Sequence, residues 1–266
     1  MENSELLTKV ELITREAGKI ILGFFKSNFE VEEKSPDNPV TEADKAADSY
    51  LKESLMALLP DAGWLSEETA DTEDRLDKNA VWIVDPLDGT KEFVMGIPEF
   101  SVSVALVEDG LPVLGAIYNP VTNEMVSARA KGGVRINGEP ISASKRKEIA
   151  GSKIDASRSE RKRGEFEPFE ELLEVITMGS IAWKLARTAI AKADATWSRG
   201  PKHEWDICAG VLLVKEAGGH CVDLDGNEFS FNKPWPKVNG IIATGEFLIN
   251  DVMTLLEPYR DSARKD

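Results

Sequence analysis

The chain of 266 residues is poor in the side chains that most often declare an activity: two cysteines, Cys208 and Cys221, and two histidines, His203 and His220. The cysteines form no C-x-x-C pair and suggest no disulfide framework, which fits a reducing, cytoplasmic setting. Two histidines poorly supply a multi-histidine metal site or phosphohistidine catalysis. Neither cysteine opens a C-x5-R loop, and the absence of G-x-x-x-x-G-K-[ST] argues against a P-loop nucleotide site. No apolar run approaches the ~18 residues of a membrane-spanning helix. The opening "MENSELLTKV" lacks the basic region and apolar stretch of a signal peptide. Cations are also in deficit. Lys plus Arg total 32 against 47 for Asp plus Glu, a net charge of -15, which disfavours nucleic-acid polymers and anionic membranes as partners. A phosphorylated small molecule would need local cations to be held. What the chain has in abundance is carboxylate.

Apolar residues recur at helical spacing from Leu6 to Phe24, predicting an amphipathic helix over roughly 4–27. "EEKSPDNPV" breaks the pattern with two prolines and reads as a mobile loop. Thr41 then opens Thr-x-x-Asp, an acidic variant of the capping box, before a stripe running Ala43, Ala47, Leu51, Leu55. Asp44, Asp48 and Lys52 lie off that stripe. "GWLSEE" and "AVWIVD" read as short strands ending in acid, and "SVSVALV" and "PVLGAIY" as an antiparallel pair continued by further turns. Residues 145–171 are charged and irregular, a seam between halves. "GSIAWKLARTAIAKA" and "WDICAGVLLVKEAGG" read as helices, the second stopped at Gly218-Gly219. "CVDLDGNEFSF" reads as a hairpin turning at Asp225-Gly226. There is no internal repeat. The order of these elements is that of a mixed α and β protein with sheet and helix layered together.

The stretch "VDPLDGTKEF" carries the chemistry. The strand is expected to end at Asp85, because Pro86 cannot donate to a ladder, and the turn brings Asp85 and Asp88 toward one point and leaves the Leu87 carbonyl outside any regular hydrogen-bond pattern, free to coordinate. Two carboxylates and a carbonyl are hard oxygen donors, suited to Mg2+ or Mn2+ rather than zinc. Gly89 permits close approach of a ligand, and a helix starting at Thr90 presents unpaired N–H groups to a phosphate. Two more acids end or begin apolar segments: Glu67 in "LSEE" and Asp206 in "EWD". In isolation an Asp-x-x-Asp pair is also an ordinary acidic surface turn, and an aspartate at a helix start is also an ordinary cap.

Taken in order, "VTEAD", "LSEE", "DPLDGT", "EWDICAG" and "EAGG" resemble the inositol monophosphatase superfamily of metal-dependent phosphate monoesterases, over roughly residues 5–250. The resemblance implies an α+β fold, the layered αβαβα sandwich of the inositol monophosphatase and fructose-1,6-bisphosphatase type. It implies Mg2+, two or three ions per site with Mn2+ as a substitute, held by Glu67, Asp85, Asp88, Asp206 and the Leu87 carbonyl. It implies catalytic roles for Asp44, Thr90 and Glu67, with Asp44 and Thr90 orienting and activating water for direct in-line attack. Lithium sensitivity is implied as well. Residues 1–144 would then form an α+β half with the antiparallel sheet and most metal ligands, and 145–266 an α/β half with the substrate-specificity segments, in one catalytic unit.

Within the superfamily "DPLDGTKEF" looks most like the 3'(2'),5'-bisphosphate nucleotidases, which convert adenosine 3',5'-bisphosphate to AMP and phosphate. Inositol phosphatases more often carry Thr-Asn where Lys91-Glu92 stand here. "ASRSE", residues 156–160, resembles a Ser-Arg-Ser stretch of the nucleotidases; Lys184 matches a lysine that contacts the second phosphate, and Arg199 lies within one position of a corresponding arginine. The substrate contacts implied are Gly89, Thr90, Lys91, Gly179, Ser180, Lys184 and Arg199. For Lys184 and Arg199, plain solvent exposure is the competing reading. Inositol-1-monophosphatase, a broader sugar-phosphate phosphatase such as fructose-1,6-bisphosphatase, and a metal-binding regulator without catalysis remain alternatives. A monomer and a homodimer both stay open. "SKRKE" and "SRSERKRG" supply either a positive rim near the site or solvated loop charge. "DLDGN" imitates an Asp-x-Asp nucleophile but reads as a turn; Lys34 and His203 could each approach the site or be bystanders.

Overall fold

The computed structural model describes residues 3–25, 31–35 and 38–260. Helix α1 (Asn3–Phe24) is followed by β1 (Val31–Ser35), β2 (Asn38–Thr41) and α2 (Glu42–Leu58). Strands β3 (Gly63–Ser66) and β4 (Ala80–Asp88) lead into the short α3 (Thr90–Val94). A meander of β5 (Ser101–Glu108), β6 (Leu111–Asn119), β7 (Glu124–Arg129), β8 (Val134–Ile136) and β9 (Glu139–Ile141) follows. Then come β10 (Lys153–Ala156), α4 (Arg158–Lys162), β11 (Glu174–Thr177), α5 (Ile181–Ala189), β12 (Ala195–His203) and α6 (Glu204–Glu216). Strands β13 (His220–Val222) and β14 (Lys237–Thr244) and helix α7 (Ile249–Leu256) close the described chain.

Two sheets organise these elements. Strands β3 to β9 form one sheet in sequence order, and β11-β10-β12-β14-β13 form the other. Strand alternation makes three separate cores from them. In β4, Trp82 and Val84 pack with α1 and α2 residues such as Ile21 and Leu51, while Val81 and Ile83 pack with α5 and α6 residues such as Leu185 and Leu213. In β14, Ile241 and Ala243 join that second core, whereas Ile242 packs with Trp197, Leu248 and Val252 on the far side. Successive side chains of a strand point to opposite faces, so a sheet buried on both faces reads as continuous hydrophobic sequence. The result is the αβαβα sandwich. Close approach of α5 and α6 depends on Gly210: a Cβ there would lie 2.5 Å from the Leu185 side chain.

Several local expectations change. Residues 31–41 contain an antiparallel ribbon of β1 and β2, with Glu32 opposite Val40, rather than a loop; residues 36–37 and the side chain of Lys34 lie outside the described residues. Helix α1 ends at Phe24, and 26–27 also lie outside them. The segment 145–171 contains β10 and α4. Strand β13 pairs with β14 across residues 220–222, not with the residues after Gly226. Asp223 instead accepts from the Asp225 and Asn227 amides and holds a side-chain turn. Phe229 and Phe231 leave the sheet direction to enter the core between the sheets, which is why no hairpin forms.

Candidate active site

Strand β4 does not end at Asp85. It continues to Asp88 through a bulge: Asp85 pairs with Ser103 and Asp88 with Ser101, so three steps on β4 match two on β5. That extra residue decides the site. Without it, Asp85 and Asp88 would face opposite sides of the sheet; with it, both follow the face shared by Ser101 and Ser103. A bulge also tolerates Pro86, whose missing N–H is not needed by the ladder. The Asp85 carboxylate accepts from the Leu87 amide at 3.0 Å, tightening the turn.

Parallel pairing of β3 with β4 sets Ser66 beside Val84, and the Glu67 amide donates to the Val84 carbonyl. Glu67 is thereby delivered next to Asp85. Asp206 arrives from the first turn of α6, where its Oδ2 accepts from the His203 amide at 2.8 Å. It is both a cap and a member of the site. Glu67, Asp85 and Asp206 each place a carboxylate oxygen within 4.8 Å of the others. Asp88 stands beside them, its Oδ2 held by the Ser180 hydroxyl at 2.5 Å and the Ala182 amide at 2.6 Å. Ser180 is therefore a support for Asp88. It keeps a φ of 58° while capping α5, a strained conformation for a residue with a side chain and one that persists where surrounding contacts over-determine it.

Asp44 and Asp48, off the apolar stripe of α2, are nevertheless buried. Asp44 closes the capping box with Thr41, accepting at Oδ2 from the Thr41 amide and hydroxyl. Its Oδ1 accepts from the Thr90 hydroxyl at 3.0 Å, and that hydroxyl is equally close to the Leu87 carbonyl, also at 3.0 Å. One proton serves two acceptors, so the Leu87 carbonyl is not outside the hydrogen-bond pattern, though its second lone pair is available. Asp48 binds the hydroxyls of Ser66 and Thr69 and fixes the strand end from which Glu67 projects. Its signal was its place one turn after Asp44.

Electrostatics test whether the cluster suits a cation. Burial, then repulsion from Asp88 and Glu67, pushes Asp206 up to about 8. Burial and the neighbouring Glu67 raise Asp85 well above the ordinary carboxylate range. Burial takes Asp88 and Asp44 to about 6. Buried like charges that repel one another are relieved by a divalent cation, and an all-oxygen donor set matches Mg2+ or Mn2+. The residues fit that ion.

A cleft of about 1130 Å³ opens in front of this cluster, lined also by Gly89, Thr90, Lys91, Gly179, Ser180, Lys184, Arg199 and His203. Of the three cations assigned to substrate, Lys91 is exposed, whereas Lys184 and Arg199 are not simply solvated. Lys184 is buried, 3.6 Å from Glu160, and Arg199 pairs with Glu165 at 3.3 Å over the Tyr259 ring. The Gly179 amide donates to Glu99. Glu99 also receives Arg158 in a two-pronged pair, and Arg158 reaches Glu92 at 3.3 Å. The unusual Lys91-Glu92 dipeptide and the Ser-Arg-Ser stretch therefore meet across the cleft. His203 stacks on Trp205 at 4.4 Å in its wall. Trp197 is buried against Phe166, so it is core. Sequence reasoning missed Lys202 and the Glu160 carboxylate, both in the lining; a lysine four residues before Asp206 was the available signal.

Two covered sheets, three helical layers and a carboxylate cluster before a cation-lined cleft define a metal-dependent phosphomonoesterase. The chain belongs to the inositol monophosphatase family, whose model matches residues 2–257. It is 33% identical to an inositol-1-monophosphatase of Mesorhizobium japonicum, over 94% of each chain. It is 35% identical to a fructose-1,6-bisphosphatase/inositol-1-monophosphatase of Thermotoga maritima, over 76% of this chain and 78% of that one. Among solved structures, an IMPase of Thermotoga maritima superposes with a TM-score of 0.87 at 27% identity, covering 97% of this chain and 99% of that one. Among the described residues no helix is long and apolar enough to cross a membrane.

Proposed function

We propose that this phosphatase prefers an ester bearing a second anionic group beside the scissile phosphate, with adenosine 3',5'-bisphosphate to AMP and phosphate as the leading reaction. The observation that carries this reading is the charge of the outer cleft. Seven lysines and arginines line it, against three carboxylates outside the group of Glu67, Asp85, Asp88 and Asp206. In a chain of net charge -15, that local reversal of sign supports a polyanionic substrate.

Glu67, Asp85, Asp88, Asp206 and the Leu87 carbonyl would hold Mg2+. When bound, the metal offsets the repulsion between dianionic ester and carboxylates and lowers the pKa of water to near neutrality. Thr90 and Asp44 form the proton path: the hydroxyl bridges water to Oδ1, and a carboxylate near 6 is largely ionised yet still basic at neutral pH. Gly89 and Lys91 would flank the phosphate seat, while Lys184 and Arg199 would meet the second phosphate.

A second reading, inositol 1-phosphate hydrolysis, is supported by the names of the relatives. A metal-binding regulator without turnover is opposed by the retention of Asp44 and Thr90 in hydrogen-bonded register. Comparing kcat/KM for adenosine 3',5'-bisphosphate, fructose 1,6-bisphosphate and inositol 1-phosphate with Mg2+ separates the three. The bisphosphate nucleotide is expected to lead, and Lys184→Ala to weaken bisphosphates more than monoesters. A clear win for inositol 1-phosphate overturns the leading reading; absence of turnover on every ester favours the regulator.

A further inference from the structure

Glu160 lies in the cleft wall with no part in the chemistry above, yet it is buried and fully engaged. Its Oε2 accepts from the Ser157 amide at 3.2 Å and hydroxyl at 2.6 Å, and its Oε1 from the Ser198 hydroxyl. Burial alone would raise its pKa; Lys184, Lys202 and the two hydroxyls hold it at about 2 instead. The carboxylate is therefore a fixed negative charge, anchored from α4 on one side and β12 on the other. One ammonium group pairs with it. Lys184, on α5, is 2% exposed and 3.6 Å away, whereas the Lys202 ammonium, on β12, donates to the Pro201 carbonyl at 3.1 Å.

The same lysines feel the metal-site acids. Lys184 acts on Asp88, and Lys202 on Asp206 and Asp88. An ammonium on a flexible four-carbon stem, released beside several repelling carboxylates, would settle among them as an internal counter-ion. That would fill the place of a divalent cation. What prevents it for Lys184 is the rival carboxylate 3.6 Å away, locked by two serines.

We propose that Glu160 is a positioning residue that keeps Lys184 out of the cation seat formed by Glu67, Asp85, Asp88 and Asp206. The inference rests on that seat being the metal site, and it is independent of which ester is hydrolysed. Part of the "ASRSE" segment thus serves the metal through Lys184 rather than by touching substrate.

Isothermal titration of the metal-free full chain with Mn2+ tests it without reference to turnover. Glu160→Gln is expected to weaken Mn2+ binding by roughly tenfold or more, the scale on which truncating one partner of a buried charge pair acts. Lys184→Met alone should change it by less than about threefold, because Glu160 already restrains that lysine. Combining the two should restore most of the lost affinity. Glu160→Asp, which keeps the charge, should stay near wild type. A Glu160→Gln protein that binds Mn2+ like wild type overturns the proposal, as does a double variant no better than Glu160→Gln. If Glu160→Gln loses its cooperative melt, Ser157→Ala/Ser198→Ala frees the carboxylate instead; unchanged Mn2+ affinity there also overturns it. A wild-type chain that binds no Mn2+ removes the seat itself, a result distinct from a failure confined to the variants.

Discussion

Asp44 divides its labour between two oxygens. Oδ2 caps α2 and Oδ1 receives the Thr90 hydroxyl, so the residue that orders a helix start also orients the proton path. Thr90→Val removes the hydroxyl with little change in volume. We expect kcat to fall by about 10²–10⁴, the range for losing a positioned acid–base group, with Mn2+ affinity unchanged; a fall below fivefold would remove Thr90 from the path. The acids beside it make a pH prediction. Asp206 is raised to about 8 from an ordinary aspartate near 3.8, so the metal-free fold favours its protonated form. That contribution is complete below about pH 4 and is lost as pH rises through 8. In EDTA, melting temperature should therefore decline from pH 5 to 8.5, and the gain from added Mg2+ should grow over the same range. Asp206→Asn should flatten the decline. Parallel profiles for the two proteins would contradict it.

At the level of elements, the bulge in β4 and the approach of α5 to α6 do most to shape the site. Gly210→Ala places a methyl 2.5 Å from Leu185, and the helices must separate. Overpacking of this kind costs about 1–3 kcal/mol, a drop of about 2–12 °C in Tm. Because α6 carries Asp206, Mg2+ affinity should fall as well. Calorimetry and metal titration check the two together, and a wild-type Tm would show that the layers adjust freely. This scale also marks where sequence reading succeeded. The Thr41 capping box and the α6 start are local patterns within four residues, and both form. The bulge was not legible, because Pro86 reads as a strand end until β5 sets one residue opposite two. The hairpin at Asp225-Gly226 failed for a related reason: the turn is genuine, but burial of Phe229 and Phe231 outweighs strand pairing.

For the molecule as a whole, charge is distributed against its own average: a strongly acidic chain presents a cation-lined cleft. Attraction of a polyanion into it should be screened by salt. Raising NaCl from roughly 20 to 300 mM shortens the Debye length severalfold, and kcat/KM for adenosine 3',5'-bisphosphate should fall more steeply than for inositol 1-phosphate. Equal slopes would mean that the outer cations do not recruit the second charge. The sequence by itself determined the layers and the identity of the acids at the centre, since hydrophobic period and short ordered motifs are properties of neighbouring residues. Only the tertiary structure decided that Asp85 and Asp88 share a face, that Lys184 is buried against Glu160, and that Arg158 answers Glu92. Those facts depend on register and on contacts between distant segments, where one added residue or one opposing charge redirects a side chain, and no local pattern encodes the outcome.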